Sequence, residues 1–207
     1  MVYCTDNYGK AFVRYCEPIS LKDRIEKFIA VNGRRQKDLL IDKKLKKQFI
    51  KELSREFSVT LTENTVIMAT SIISSLILAF RKGLEENTIC RWYQYVFQRI
   101  VEKKGLMSAQ HLPSKNVIKQ SLRSYLTKFI DVKRNMYEPN VTPNKDYKNI
   151  LMLGYYRNVL VHHFLLDSYT VLSIMSKWNN QPQPKKVVWE DVSFLSHIFQ
   201  HEFMVRN

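Results

Sequence analysis

The stretch Asn64–Phe80, NTVIMATSIISSLILAF, contains no Asp, Glu, Lys or Arg, and Glu63 and Arg81 close it at either end. A helix that crosses a bilayer needs about 20 apolar residues. This run has seventeen, and five of them are Ser or Thr. The expectation is therefore a helix buried in a globular core, which other segments must cover with their own apolar faces. Only 5 Gly and 6 Pro among 207 residues, with a hydrophobic fraction of 45%, favour a folded chain built mostly of helix.

Working outward toward the N-terminus, Gln36 to Val59 places Ile41, Leu45, Phe49, Leu53 and Phe57 at every fourth position. Lys43, Lys44, Lys46, Lys47, Lys51 and Arg55 fill the other faces. This pattern predicts one amphipathic, strongly cationic helix. Two readings of its lysines stand side by side: a solvated face over a core-facing stripe, or a contact surface for anionic lipid headgroups. Before it, Ser20 and Asp23 have the spacing of a capping box, so a helix is expected from Leu21 to about Val31, ended by Gly33. Lys10 to Leu21 alternates around Phe12, Arg14 and Cys16 and meets Pro18, which reads as one short strand and a turn.

Toward the C-terminus, Ile89, Trp92, Tyr93, Val96, Phe97 and Ile100 recur at helical spacing within Thr88 to Glu102. A further helix is expected over Ser114 to Phe129, after a loop at His111 to Pro113. Asp131 to Asn149, with Pro139 and Pro143, reads as a polar connector or short hairpin. Ile150 to Trp178 reads as one long apolar-patterned helix. Asn179 to Lys186, NNQPQPKK, is a loop, and Trp189 to Val205 is a closing helix with Phe194, Leu195, Ile198, Phe199 and Phe203 as its stripe. The fold class expected is mainly α, with one short N-terminal strand.

Three cysteines, Cys4, Cys16 and Cys90, are widely separated and form no cluster with metal-ligand spacing, so a reducing compartment and no structural zinc are expected. The opening MVYCTDNYGK has no basic segment followed by an apolar one, and no secretory signal is expected. A formal net charge of +14 points to anionic partners. Aromatic residues fall on the apolar stripes and are not interleaved with the lysines, which argues against RNA and for a membrane surface.

One spacing has a catalytic look: His162 and Asp167 in HHFLLD. Five residues along a helix set two side chains about 140° apart, too far around for a carboxylate to orient an imidazole. No catalytic, cofactor-binding or metal-binding residue is assigned from the sequence. Tyr155, Asn158 and His162 fall on one face of the long helix amid Leu, Val and Phe. Asn158 and His162 are expected to join a buried hydrogen-bond network; the rival reading turns Arg157 and His162 toward a substrate pocket.

Four stretches, in order, resemble the C-terminal region of the glycerol-3-phosphate and dihydroxyacetone-phosphate acyltransferases: GKAFVRYCEPISLKD, TENTVIMATSIISSLILAFRKGLEENTI, LMLGYYRNVLVHHFLLDSYTVLSIM and FLSHIFQHEFMV. The third carries the most specific match, with Tyr156, Arg157, Asn158, His162 and Phe164 in the fixed positions of an L-x-x-Y-R-N-x-x-x-H-x-F block. The resemblance implies that residues 1–20 are the tail end of an α/β acyltransferase domain and 21–207 a C-terminal helical domain. It implies a parent enzyme of glycerophospholipid synthesis that moves an acyl group from acyl-CoA, as substrate, to the sn-1 hydroxyl of glycerol 3-phosphate. Dihydroxyacetone phosphate as acceptor, or a free-standing basic module on membranes or RNA, are the alternatives. The family's Phe-Pro-Glu-Gly segment is absent, and the catalytic half is expected to lie outside this chain. The partners implied are an upstream acyltransferase domain and an anionic membrane surface met by Lys43, Lys44, Lys46 and Lys47. The expected location is intracellular and membrane-associated, mitochondrial or endoplasmic reticulum.

Overall fold

A computed structural model describes Phe12 and residues 14–107, 112–140, 146–178 and 182–201. They form two compact units, one over residues 14–64 and the other over 65–201. The fold is mainly α, with a small three-stranded sheet. Of the expected N-terminal strand, Lys10, Ala11 and Val13 lie outside the described residues. Phe12 and Arg14 to Ser20 take no strand pairing, which corrects that expectation for the described part.

The first unit holds α1 (Leu21–Asn32), α2 (Gln36–Ile41) and α3 (Lys43–Asn64). Ser20 caps α1 by accepting from the Asp23 backbone N–H at 3.3 Å, and Gly33 ends it in the left-handed region at φ +59°. The single helix expected from Gln36 breaks at Asp42. Its carboxylate accepts the backbone N–H groups of Lys44 (2.8 Å) and Leu45 (3.1 Å), an N-cap that starts α3 afresh. The break changes the helical register, so Ile41 is exposed instead of joining the stripe, and Phe57 is also partly exposed. Phe28, Leu39, Leu45 and Phe49 make the small core, with the Phe28 and Phe49 rings 5.2 Å apart. Arg24 and Glu56 form an ion pair between α1 and α3.

The second unit is organised around α4 (Ala69–Ala79), the buried helix expected from the charge-free run. Ala69, Ile72, Ile73 and Ile77 are fully buried. Around it come α5 (Glu86–Glu102), α6 (Lys115–Gln120), the long α7 (Asp146–Ser176) and α8 (Lys185–Ile198). The helix expected over Ser114 to Phe129 is shorter than its pattern: α6 passes into a π-helical turn at Ser121–Tyr125, and Leu126 to Phe129 is irregular. The connector takes its hairpin form. Strands β2 (Ile130–Lys133) and β3 (Met136–Pro139) are joined by Arg134 and Asn135, both at positive φ, as a tight two-residue hairpin turn requires.

A third strand, β1 (Leu84–Glu85), pairs antiparallel with β3. Glu86, at the start of α5, accepts the Tyr137 hydroxyl at 3.2 Å and meets Lys119 and Arg123 at 3.4 and 3.7 Å, tying the hairpin to α5 and α6. The closing helix α8 starts four residues earlier than its pattern suggests and passes into a 3-10 turn at Phe199–His201; Glu202 to Val205 lie outside the described residues, as do His111 and Asn179 to Gln181 of the expected loops.

Two predictions follow from these caps and this core. Ser74 is fully buried and its hydroxyl has no partner among the described residues. Because an unpaired buried hydroxyl costs about 1–3 kcal/mol, Ser74→Ala is expected to hold or raise stability in urea unfolding. The two backbone N–H groups on Asp42 hold its carboxyl below the usual value of 3.8. The cap is present above pH 3.8 and is lost as pH falls through the lower folded value. Asp42→Ala should therefore lower the melting temperature at pH 7 and flatten the loss of stability in acid.

Candidate functional site

Helix α7 carries Tyr156, Arg157, Asn158, His162 and Phe164, and their placement follows from which neighbours cover it. Its N-terminal half turns Leu153 and Leu160 into the core against α4, both 5% exposed or less. Tyr156 lies on that side, half-buried, with its ring 6.3 Å from Phe129; burial pushes its hydroxyl pKa up. At about 100° per residue, Tyr155, Asn158 and His162 fall on the far side. Tyr155 and Asn158 are exposed and His162 is half-buried. The buried network expected of Asn158 and His162 is therefore not formed around Asn158, whose amide oxygen instead accepts from Arg157 at 3.1 Å.

The C-terminal half of α7 is covered by α8. Leu165, Tyr169 and Val192 form a separate small core, and the Tyr169 and Phe199 rings stack at 5.9 Å. Asp191 accepts from Ser173 and Lys177, each at 2.8 Å, and these bonds hold its carboxyl below the usual range. Residues Tyr147–Ser176 are long and apolar enough to cross a membrane by length and composition; here the helix packs on α4 and α8.

Between α4, α5 and α7 runs an apolar groove of about 300 Å³. Leu76 and Ala79 come from α4, Val96 from α5, and Val161, Phe164 and Leu165 from α7. Ser75 and Ser168 also line it, but their hydroxyls bond back to the carbonyls of Ser71 (2.9 Å) and Phe164 (2.8 Å), so they present little polarity to the groove. Arg157 is the charged residue in the lining.

Beside Phe164 lies a charge cluster that no local pattern announced. Asp167 meets Lys103 at 3.0 Å and Arg99 at 3.9 Å, and the Lys103 ammonium stands 6.0 Å from the Phe164 ring centre. Asp167 thus pairs with Arg99 of α5 and with Lys103 just beyond its end. Gly105 passes close by: a Cβ there would stand 2.5 Å from Ile100 Cγ2 and 3.1 Å from His163 Cε1. Burial, then the neighbouring His162 and Lys103, push the His163 pKa down. No group of three or more metal-binding side chains occurs among the described residues.

The first unit presents a different surface. Lys43, Lys44, Lys46 and Lys47 are all exposed on the first turns of α3, with Lys51 and Arg55 beyond them. Leu40 and Ile41, 79% and 81% exposed, stand next to these lysines at the end of α2.

Residues 4–207 match the family described as the glycerol-3-phosphate acyltransferase C-terminal region. The chain belongs to this family. No curated protein matches it. The assignment gives the chain a role related to glycerol-3-phosphate acyltransferase, in a family that is membrane-associated in general. Of the five residues on which the sequence resemblance rests, Tyr156 and Phe164 pack against the core, Arg157 lines the groove, and Asn158 and His162 lie on the outer side of α7.

The lowered His163 pKa has a testable sign. Above pH 6.5 the imidazole is neutral both folded and unfolded; below it the unfolded chain takes up the proton first, so stability falls as pH drops toward and through the folded value. A His163 resonance titrating below 6.5 by NMR, and a flatter stability profile below that pH in His163→Gln, are the expected results.

Proposed function

We propose that this chain is the C-terminal helical region of an enzyme that transfers a fatty acyl group from acyl-CoA to the sn-1 hydroxyl of glycerol 3-phosphate. It works beside an acyltransferase domain and against an anionic membrane surface. The observation that carries the reading is the family match over residues 4–207, which leaves almost none of the chain unaccounted for. The acyl transfer itself requires a base aligned by a carboxylate and cations around the acceptor phosphate. The engagement of Asp167 by Lys103 and Arg99 supports placing that chemistry on a different domain.

The membrane part of the proposal rests on α2 and α3. Four exposed lysines on the first turns of α3 attract acidic headgroups, and the adjacent Leu40 and Ile41 are apolar groups left exposed. Each lysine near an anionic surface contributes about 1 kcal/mol. In vesicle sedimentation, replacing Lys43, Lys44, Lys46 and Lys47 with Gln is therefore expected to weaken binding to phosphatidylserine-containing vesicles by at least about tenfold. Binding should also weaken with added salt. Equal binding by the variant and the native chain would remove the membrane assignment.

For the enzymatic part, the purified chain is expected to show no turnover of glycerol 3-phosphate and palmitoyl-CoA. Added to a family enzyme from which this region has been deleted, it should restore activity. Turnover by the chain alone that His162→Ala abolishes would overturn the division of labour.

A further inference from the structure

The groove between α4, α5 and α7 has no part in the membrane contact argued from α3, and its chemistry is of another kind. Its wall is built from aliphatic and aromatic side chains, and the two serines in it spend their hydroxyls on their own helices. On α7 the lining residues Arg157, Val161, Phe164 and Ser168 follow at i, i+4, i+7 and i+11, one continuous stripe about 16 Å long. The cation is at one end of that stripe. Such a site is apolar along its length and positive at its mouth.

We propose that this groove binds a single acyl chain, with the anionic head of the same molecule held by Arg157. Several facts on the molecule point to that occupant. A trough lined almost wholly by carbon has nothing to offer a sugar, a nucleotide or a polar peptide. Its one charge is positive: Arg157 gives a hydrogen bond to the neutral amide of Asn158, and no carboxylate among the described residues pairs with its guanidinium. Arg157 is exposed, and an exposed cation holds a singly charged carboxylate weakly. A phosphate offers up to two charges and several acceptor oxygens to the planar guanidinium fork.

The occupant is therefore a phosphate-headed, single-chain lipid of the 1-acylglycerol 3-phosphate type. Its identification with the product of acyl transfer rests on the proposed function; the match of an acyl chain and an anionic head to the groove does not. The groove then serves as a holding site in which the newly made amphiphile is kept from water by α4 and α7 after leaving the reacting centre.

Isothermal titration of the full chain tests this with 1-oleoylglycerol 3-phosphate, kept below its aggregation concentration, against 1-oleoylglycerol, oleate and glycerol 3-phosphate. The phosphate-headed lipid is expected to bind at least about tenfold more tightly than 1-oleoylglycerol, a difference of about 1.4 kcal/mol. Oleate should fall between them, and glycerol 3-phosphate should show no binding. Arg157→Gln, at an exposed position, should erase the preference for the charged head and leave the weaker chain-dependent binding. Ala79→Phe, also at an exposed position on the groove's edge, should weaken every acyl ligand. The variant lacking Lys43, Lys44, Lys46 and Lys47 should bind all four ligands like the native chain, which separates this site from the membrane surface. Equal affinity for the charged and uncharged lipids, an unaltered preference in Arg157→Gln, oleate binding as tightly as the phosphate-headed lipid, or loss of binding in the lysine variant would each overturn the proposal.

Discussion

The second unit depends on the burial of α4 by α7. A helix whose Ala69, Ile72, Ile73 and Ile77 retain no exposed surface cannot exist without neighbours over that face, and α7 supplies the largest share through Leu153 and Leu160. Removing an Ile or Leu side chain from water contributes about 1.5–3 kcal/mol, so this one contact outweighs the surface ion pairs around it. Everything that faces outward is then arranged by what α4 leaves uncovered. The groove lies along the edge of α4 that carries Ser75 and Ala79, between side chains of α5 and α7. The outer face of α7 exists because its inner face is committed.

Much of this was legible in local sequence, for reasons that can be named. Ser20 with Asp23 marks the start of α1 because the capping contact spans three residues and needs nothing distant. The absence of charge from Asn64 to Phe80 marks a buried helix because no charged group survives there without a partner. Asp42 was harder to see. The four-residue apolar spacing runs through it from Ile41 to Leu45, and a backbone cap by one carboxylate outweighs that periodicity. A strand of two residues, Leu84 and Glu85, has no pattern to detect; it is a strand because Met136 and Tyr137 lie beside it.

The candidate site shows the same division. Arg157 and Phe164 stood out through the resemblance of their block, but the groove that makes Arg157 chemically interesting is composed of side chains from three helices. Asp167 likewise looked like half of a dyad with His162, five residues away, while its actual partners, Arg99 and Lys103, are more than sixty residues distant in sequence. A contact of that range leaves no periodic trace. The outward position of Asn158 has a similar origin: periodicity gave the faces of α7 correctly, but only the position of α4 decides which face is inside.

The dependence of α4 on α7 also imposes an order in time. The unit over residues 14–64 is closed by helices adjacent in sequence, so all of its core is available early in synthesis. In contrast, α4 must wait for Leu160, about 80 residues after Ala79. At a synthesis rate of about 5–20 residues per second that interval is about 4 to 16 s. During it, the most apolar helix of the chain is outside the ribosome without its principal cover, and its apolar face is open to other chains. Ser71 and Ser74 sit within that helix, and their hydroxyls, without a partner among the described residues once buried, moderate its stickiness while it waits.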